Sequence, residues 1–320
     1  MKRVFVFPGQ GSQAVGMGKE VYDSFAEARD VFAEVDDVLG QHLTKLIFEG
    51  PIETLTLTEH TQPALMVTSI AVYRALMKQG KLQLKDIAQY VAGHSLGEYT
   101  ALCAAGALSL ADTARLLKIR GRAMQEAVPQ GKGGMGVLLG VDLDIAQKIA
   151  AKAAQNDICQ VANDNSPGQV VISGSAAAIE RAVPIAAEMG AKRLMPLNVS
   201  APFHSKLMEP AAEIMRRAVA EVKMQAPEVP LVANVTADAQ TDPQAIKALL
   251  VEQVTGMVRW RESMLYMEYR GLNQLVEIGA GKVLSGLSKR CAASIEPFTI
   301  NGPKEVEAFL ESLHKESVQE

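Results

Sequence analysis

The run Gly93-His94-Ser95-Leu96-Gly97 sets a serine between two glycines at GxSxG spacing, behind the apolar Tyr90-Val91-Ala92 and ahead of a helical stretch from Leu96 to about Ala105. In that strand, turn and helix setting the glycines let the backbone turn tightly and lift the Ser95 hydroxyl out of the sheet's end, as a nucleophile requires. The inert alternative is a tight turn that needs only small residues. The context favours the nucleophile.

A serine hydroxyl is a poor nucleophile at neutral pH and needs a neighbouring base, most often histidine. The chain has five histidines. His314 falls on a terminal helical stretch and His42 in a mixed polar one, so both read as solvated, and His94 should diverge from Ser95 on a sharp turn. His60 and His204 remain, each just ahead of a helix. His204 follows the apolar run Leu194 to Val199 within Ser200-Ala201-Pro202-Phe203-His204-Ser205, where a strand's carboxyl end meets a helix start. Open α/β sheets collect ligands there, which favours His204 over His60. Capping or packing is the inert reading of both, and no acidic residue announces itself as a third partner.

The loop Pro8-Gly9-Gln10-Gly11-Ser12-Gln13 matches GxGxx[GA] through Ala14, but the second strand and acidic residue of a dinucleotide site are replaced by a charged helical pattern from Glu20 to Leu39. Such a loop at a strand end could instead offer backbone N–H groups to a developing oxyanion. The turn Gly279-Ala280-Gly281-Lys282 lacks Walker A spacing. Arg120 shares a helix face with Leu110, Thr113, Leu117 and Met124. An arginine on an apolar face must find a carboxylate or several acceptors, and residue types alone favour an internal salt bridge over a substrate contact.

The elements around these residues alternate short apolar runs with amphipathic stretches, which predicts a parallel sheet covered by helices. Helices are expected over Val21 to Leu39, Gln62 to Met77, 109 to 126, 203 to 222, 243 to 254, 260 to 269 and 303 to 314. A strand is expected at 274 to 278, and a frayed tail at Lys315 to Glu320. Between them the rhythm changes to βαββαβ, with strands at 135–141, 158–162, 169–173 and 192–197, which is the split unit of a ferredoxin-like module. Asn163 to Gly168 are expected to turn between its middle strands. The chain therefore divides into a discontinuous α/β domain, residues 1–130 and 199–320, and an insert, 131–198.

The 320 residues are 48% hydrophobic and 21% charged, ordinary values for globular protein, and a net charge of −4 gives no bulk reason to bind nucleic acid or an anionic membrane. Cys103, Cys159 and Cys291 are too few and too scattered for a disulfide framework, and no metal-ligand spacing occurs. With no signal-peptide core or membrane-length apolar run, a cytoplasmic location without a structural metal is expected.

Read together, FVFPGQGSQ at 5–13, TQPA at 61–64, GHSLGEY at 93–99, RGRAMQEA at 120–127, NDNSPGQVVISG at 163–174 and APFHSKLMEPA at 201–211 resemble the malonyl-CoA:acyl carrier protein transacylase family of type II fatty acid synthesis, in order and over nearly the whole chain. The resemblance implies a hydrolase-like α/β domain with a ferredoxin-like insert. It implies Ser95 as the acylated nucleophile, His204 as its base, and the Gln253 backbone carbonyl as the group that orients the histidine. Gln10 and Leu96 would supply oxyanion N–H groups and Arg120 would bind the malonyl carboxylate. Gln62 and Asn163 match polar pocket positions, and Phe203 resembles malonyl-selective members. Ala280 stands where the family's EIGPGK motif has proline, a departure confined to a turn.

The implied reaction is ping-pong transfer of malonyl from malonyl-CoA to acyl carrier protein, with no cofactor. Arg193, Lys282, Lys289 and Arg290 are candidate docking residues for the acidic carrier protein, a solvated face being the ordinary explanation of such charges. Two alternatives use the same residues differently. A serine hydrolase would share Ser95 and His204 without needing Arg120, and a non-catalytic docking module would need none of the three.

Overall fold

A computed structural model of the chain describes residues 1–197, 199 and 201–319. Among these, ten strands form two sheets: β1 (Arg3–Phe7), β2 (Tyr90–Gly93), β3 (Gly133–Leu139), β4 (Cys159–Ser166), β5 (Gln169–Ser175), β6 (Arg193–Pro196), β7 (Leu231–Val232), β8 (Ala239–Gln240), β9 (Gln274–Ile278) and β10 (Glu296–Ile300). The larger sheet runs β10-β9-β1-β2-β7-β8, parallel from β10 to β7, with β8 antiparallel at one edge.

All five residues of β1 are buried, as a central parallel strand requires. Successive side chains alternate between faces: Phe5 and Phe7 join one core, Val4 and Val6 the other. The first core packs under helices Ala26–Leu39, Thr58–Gly80, Leu96–Ala104 and Leu110–Glu126, the second under Trp260–Tyr269 and Val283–Cys291.

The smaller sheet, β4-β5-β3-β6, is antiparallel throughout and packs with helices Leu143–Ala154 and Ala176–Glu188 around its own core. Its order is that of the ferredoxin-like unit expected from the sequence. The expected apolar strands are present, but the polar cluster after the second is not a six-residue turn. β4 continues through Asn163 to Ser166, leaving only Pro167 and Gly168 to reverse the chain. The reason is tertiary: Asp164 N–H donates to Val258 O at 3.0 Å and Val258 N–H to Ala162 O at 2.8 Å, so backbone almost a hundred residues on pairs with this segment and overrides its turn propensity. Two register shifts in β4 accommodate the pairing. Arg261 Nε, 2.8 Å from the buried Asp164 carboxylate, reinforces it.

Other boundaries also differ. The helix expected over Val21 to Leu39 is two, Lys19–Ser24 and Ala26–Leu39, broken at an extended Phe25. The last helix runs Pro303–Gln319, because Glu316 pairs with Arg3 and with the N-terminal ammonium and holds down the tail expected to fray; Glu320 lies outside the described residues. The 203 to 222 pattern begins as an irregular loop and a short 3₁₀ turn before helix Glu209–Glu221. Residue 198, the expected end of the insert, and Ser200 lie outside the described residues. β7, β8 and β10 are strands that the apolar pattern did not single out.

Candidate active site

Ser95 sits at the carboxyl end of β2 with φ 54° and ψ −110°, and the helix Leu96–Ala104 begins at the next residue. The glycines around it are fixed by space: a Cβ on Gly93 would lie 2.0 Å from the Gly97 carbonyl carbon, and one on Gly97 would lie 2.2 Å from Phe7 O. The strained elbow is held from outside by Asn234, which follows β7. Asn234 Oδ1 accepts from Ser95 N–H at 2.8 Å, and its Nδ2 donates to Gly93 O at 2.7 Å, bracketing the turn. The Ser95 N–H is thereby committed. Leu96 heads its helix, so its N–H belongs to the first turn, where intrahelical acceptors are lacking.

His94 and Ser95 diverge. The His94 ring packs against Trp260 at 5.6 Å and its Nε2 lies 2.8 Å from Asn165 Oδ1, whereas Ser95 Oγ lies 2.8 Å from His204 Nε2. His204 Nδ1–H donates to the Gln253 backbone carbonyl at 2.8 Å, which leaves Nε2 to accept the Ser95 proton. Burial, and next the positive charge of Arg120, push the His204 imidazolium down to about 3, so the ring is neutral at physiological pH. His60 is elsewhere, 3.9 Å from Glu59 and outside the cavity; His42 and His314 are exposed.

Arg120, expected from residue types to form a salt bridge, has no carboxylate within ion-pair distance among the described residues. It is 1% exposed and its two Nη groups are held by neutral acceptors instead. Nη1 donates to Gln62 Oε1 at 2.8 Å, and Nη2 donates to Gln253 Oε1 at 2.8 Å and to Ser95 Oγ at 3.1 Å. Its guanidinium carbon lies 5.5 Å from the Tyr99 ring centre, a cation–π contact. Nε has no partner among the described residues. A buried cation held only by neutral groups is suited to an anionic guest, and a guanidinium fork suits a carboxylate.

These groups open on a cavity of about 260 Å³ whose lining also includes Gln10, Leu96, Asn163 and Phe203. Gln10 is held through its side chain, Thr58 Oγ1 donating to Gln10 Oε1 at 2.8 Å while accepting from Gln62 Nε2 at 3.0 Å. Asn163 is 6% exposed, and its Nδ2 has no partner among the described residues. Ser95, His204, Arg120, Gln62, Gln253, Gln10, Leu96, Asn163 and Phe203 thus converge on one place. Ala280, buried, lies in the turn after β9. The basic surface residues Arg193, Lys282, Lys289 and Arg290 are all exposed, and Arg290 also donates to Gln169 Oε1 at 2.7 Å and to Pro167 O at 2.9 Å.

Residue-by-residue reading missed Asn234 and Thr58 and gave Glu98 no role. Asn234 carried one usable signal: it directly follows the apolar run Leu231-Val232-Ala233, at a strand's carboxyl end. Among the described residues there is no group of three or more His, Cys, Asp or Glu side chains placed to hold a metal ion, and no helix is long and apolar enough to cross a membrane.

Residues 4–317 match the acyl transferase domain family. A malonyl CoA-acyl carrier protein transacylase of Bacillus subtilis is 44% identical over 99% of this chain and 98% of its own length. The crystal structure of an acyl-carrier-protein S-malonyltransferase from Bartonella henselae is 52% identical and superimposes with a TM-score of 0.95, covering 98% of this chain and 100% of that one. A structure of a type II polyketide-synthase acyl-carrier protein in complex with its malonyl-transacylase contains a chain 40% identical, with a TM-score of 0.94 over 98% of this chain and 100% of that one.

Proposed function

The chain belongs to the acyl transferase family, and we propose that it works as an acyl-carrier-protein S-malonyltransferase in which Ser95 carries the malonyl group between two thiols. Malonyl-CoA is the donor, and the phosphopantetheine thiol of acyl carrier protein is the acceptor, in fatty acid synthesis. His204 Nε2 takes the Ser95 proton as Oγ bonds to the thioester carbon. The C–S bond then breaks, and the proton passes from His204 to the departing coenzyme A sulfur. In the second half the carrier thiol gives its proton to His204 and attacks the ester, and Ser95 Oγ leaves with that proton.

The N–H groups of Gln10 and Leu96 hold the oxyanion of each tetrahedral intermediate, one such donor being worth about 2.7–4 kcal/mol in a serine protease. The Gln253 carbonyl orients the histidine. Arg120 binds the malonyl carboxylate, with Gln62 fixing its fork, and Asn163 and Phe203 line the acyl chamber. The reaction so written uses no cofactor, and we place the enzyme in the cytoplasm. We assign residues 1–130 and 199–320 to the catalytic domain and 131–198 to the insert. The exposed Arg193, Lys282 and Lys289 are basic residues offered to an acidic carrier, Lys282 following Gly281, whose added Cβ would lie 3.6 Å from Ser12. Arg290, exposed and bonded only to neutral acceptors of the β4–β5 turn, keeps its charge and belongs with these candidates.

One observation carries this reading: the same hydroxyl, Ser95 Oγ, lies within hydrogen-bond reach of both a neutral histidine and a buried arginine that lacks an anion. A lipase has no use for the second, and a hydrolase that did would release free malonate without an acceptor thiol. Initial rates measured while both substrates are varied test the two-step scheme. Parallel double-reciprocal lines are expected; intersecting lines would require both substrates bound at once and would overturn the acyl-serine route.

A further inference from the structure

Glu98 lies on the first turn of the elbow helix, fully buried, and has no part in the scheme above. Its Oε2 accepts from Gln253 Nε2 at 2.9 Å and from Asn234 N–H at 3.0 Å. The same Gln253 Nε2 donates to Ser95 O at 3.0 Å, and Gln253 Oε1 faces the other way, accepting from Arg120 Nη2 at 2.8 Å. An amide is a two-ended group of nearly symmetric shape, so its direction is set by what its neighbours give and take. Turned over, the Gln253 oxygen would meet the Glu98 carboxylate and the Ser95 carbonyl, and its NH₂ would meet a guanidinium. Every contact would be donor to donor or acceptor to acceptor.

We propose that Glu98 is a positioning residue of this site: its buried carboxylate fixes the Gln253 amide in one direction, and through it holds the Arg120 guanidinium where an incoming carboxylate meets it. Glu98, Gln253 and Arg120 form a carboxylate, amide and guanidinium series. A carboxyl oxygen thus backs the amide that holds the buried arginine, without occupying the edge that a substrate needs. The charged and titratable groups around Glu98 are Arg120 from the Leu110–Glu126 helix, Tyr99 beside it, and His204 beyond the Gln253 backbone. Asn234 serves the same carboxylate from β7's end, which ties the elbow clamp to the anion anchor.

The inference rests on the malonyltransferase reading and is tested beside it by following the mass of Ser95-loaded enzyme with malonyl-CoA and with acetyl-CoA. Glu98→Met removes the acceptor at similar bulk, whereas Glu98→Gln keeps an acceptor oxygen and drops the charge. The Met variant should load malonyl about ten- to a hundredfold more slowly and lose malonyl preference over acetyl, since small displacements of a positioning group cost that much. The Gln variant should stay close to wild type in preference. An unchanged malonyl-to-acetyl ratio in Glu98→Met, or equal losses on both donors, overturns the positioning role. If wild-type enzyme itself takes no malonyl, the reading of function fails instead. Should Glu98→Met not fold, ¹⁵N-labelled wild-type protein decides: a Gln253 side-chain NH₂ with slowly exchanging protons is expected, and a freely exchanging one contradicts the proposal.

Discussion

Arg120 Nη2 lies 3.1 Å from Ser95 Oγ, so the proposed nucleophile and the proposed anion anchor are within hydrogen-bond reach of each other. A carboxylate gripped by that guanidinium brings its acyl carbon toward Ser95 by geometry alone, and an acyl group without one has nothing to grip. Arg120→Ala should therefore lose malonyl loading while gaining relative use of acetyl-CoA. Arg120→Lys should recover only part, because an ammonium cannot reproduce the fork. Loading rates with the two donors check this, and equal declines would reject the specificity role.

His204 is the second test. Its replacement by alanine should slow Ser95 loading by about 10²–10⁴-fold, the range for a positioned general base. The ring is already neutral above about pH 3, so its protonation should not switch the enzyme off between pH 5 and 8. A His204 imidazole seen by NMR to titrate in that range would contradict its depressed ionisation.

Glu98 makes a stability prediction of its own. Burial raises its carboxyl from 4.5 to about 7, so the folded protein binds that proton more tightly than the unfolded chain does. Stability then falls as pH rises from about 4.5 to about 7 and levels off above, the native state holding the extra proton only in that window. Glu98→Gln removes the titration. Its stability relative to wild type, read from denaturant midpoints, should rise between pH 5 and pH 7.5; a difference that does not change with pH would contradict the shift.

Asn234→Ala should cost about 1–3 kcal/mol for each buried partner left unpaired, here the Ser95 N–H and the Gly93 carbonyl. It should also slow loading with both donors alike, because it releases the elbow itself. A variant of native stability and full rate would mean that the glycines alone hold the turn.

Much of this was legible in the sequence because the relevant physics is local. Gly93 and Gly97 advertise a tight turn, and the alternation of β1 across two cores follows from five apolar or aliphatic-stemmed residues in a row. The Arg120 helix stripe pointed inward as read, but stripe geometry cannot tell a carboxylate partner from an amide one. Gln62 and Gln253, the actual partners, come from helix Thr58–Gly80 and from the residue after Pro243–Glu252. Asn163 to Asn165 read as a turn because Val258, whose backbone bridges to this segment, is almost a hundred positions away in sequence. Glu98 was silent, and Asn234 nearly so, for the same reason: their roles exist only once β2, β7 and the elbow helix are side by side. The motif resemblance supplied Gln253, Gln10 and Leu96, because the roles it implies for them use backbone groups that any residue type would carry; the Gln253 side-chain contacts it did not imply.

The most direct test is the intact mass of the protein after brief incubation with malonyl-CoA and no carrier protein, set beside Ser95→Ala. A malonyl adduct on the first and none on the second is the predicted result. Malonyl-CoA consumed with no adduct, or left untouched by the wild-type chain, would contradict the acyl-serine at the centre of this account.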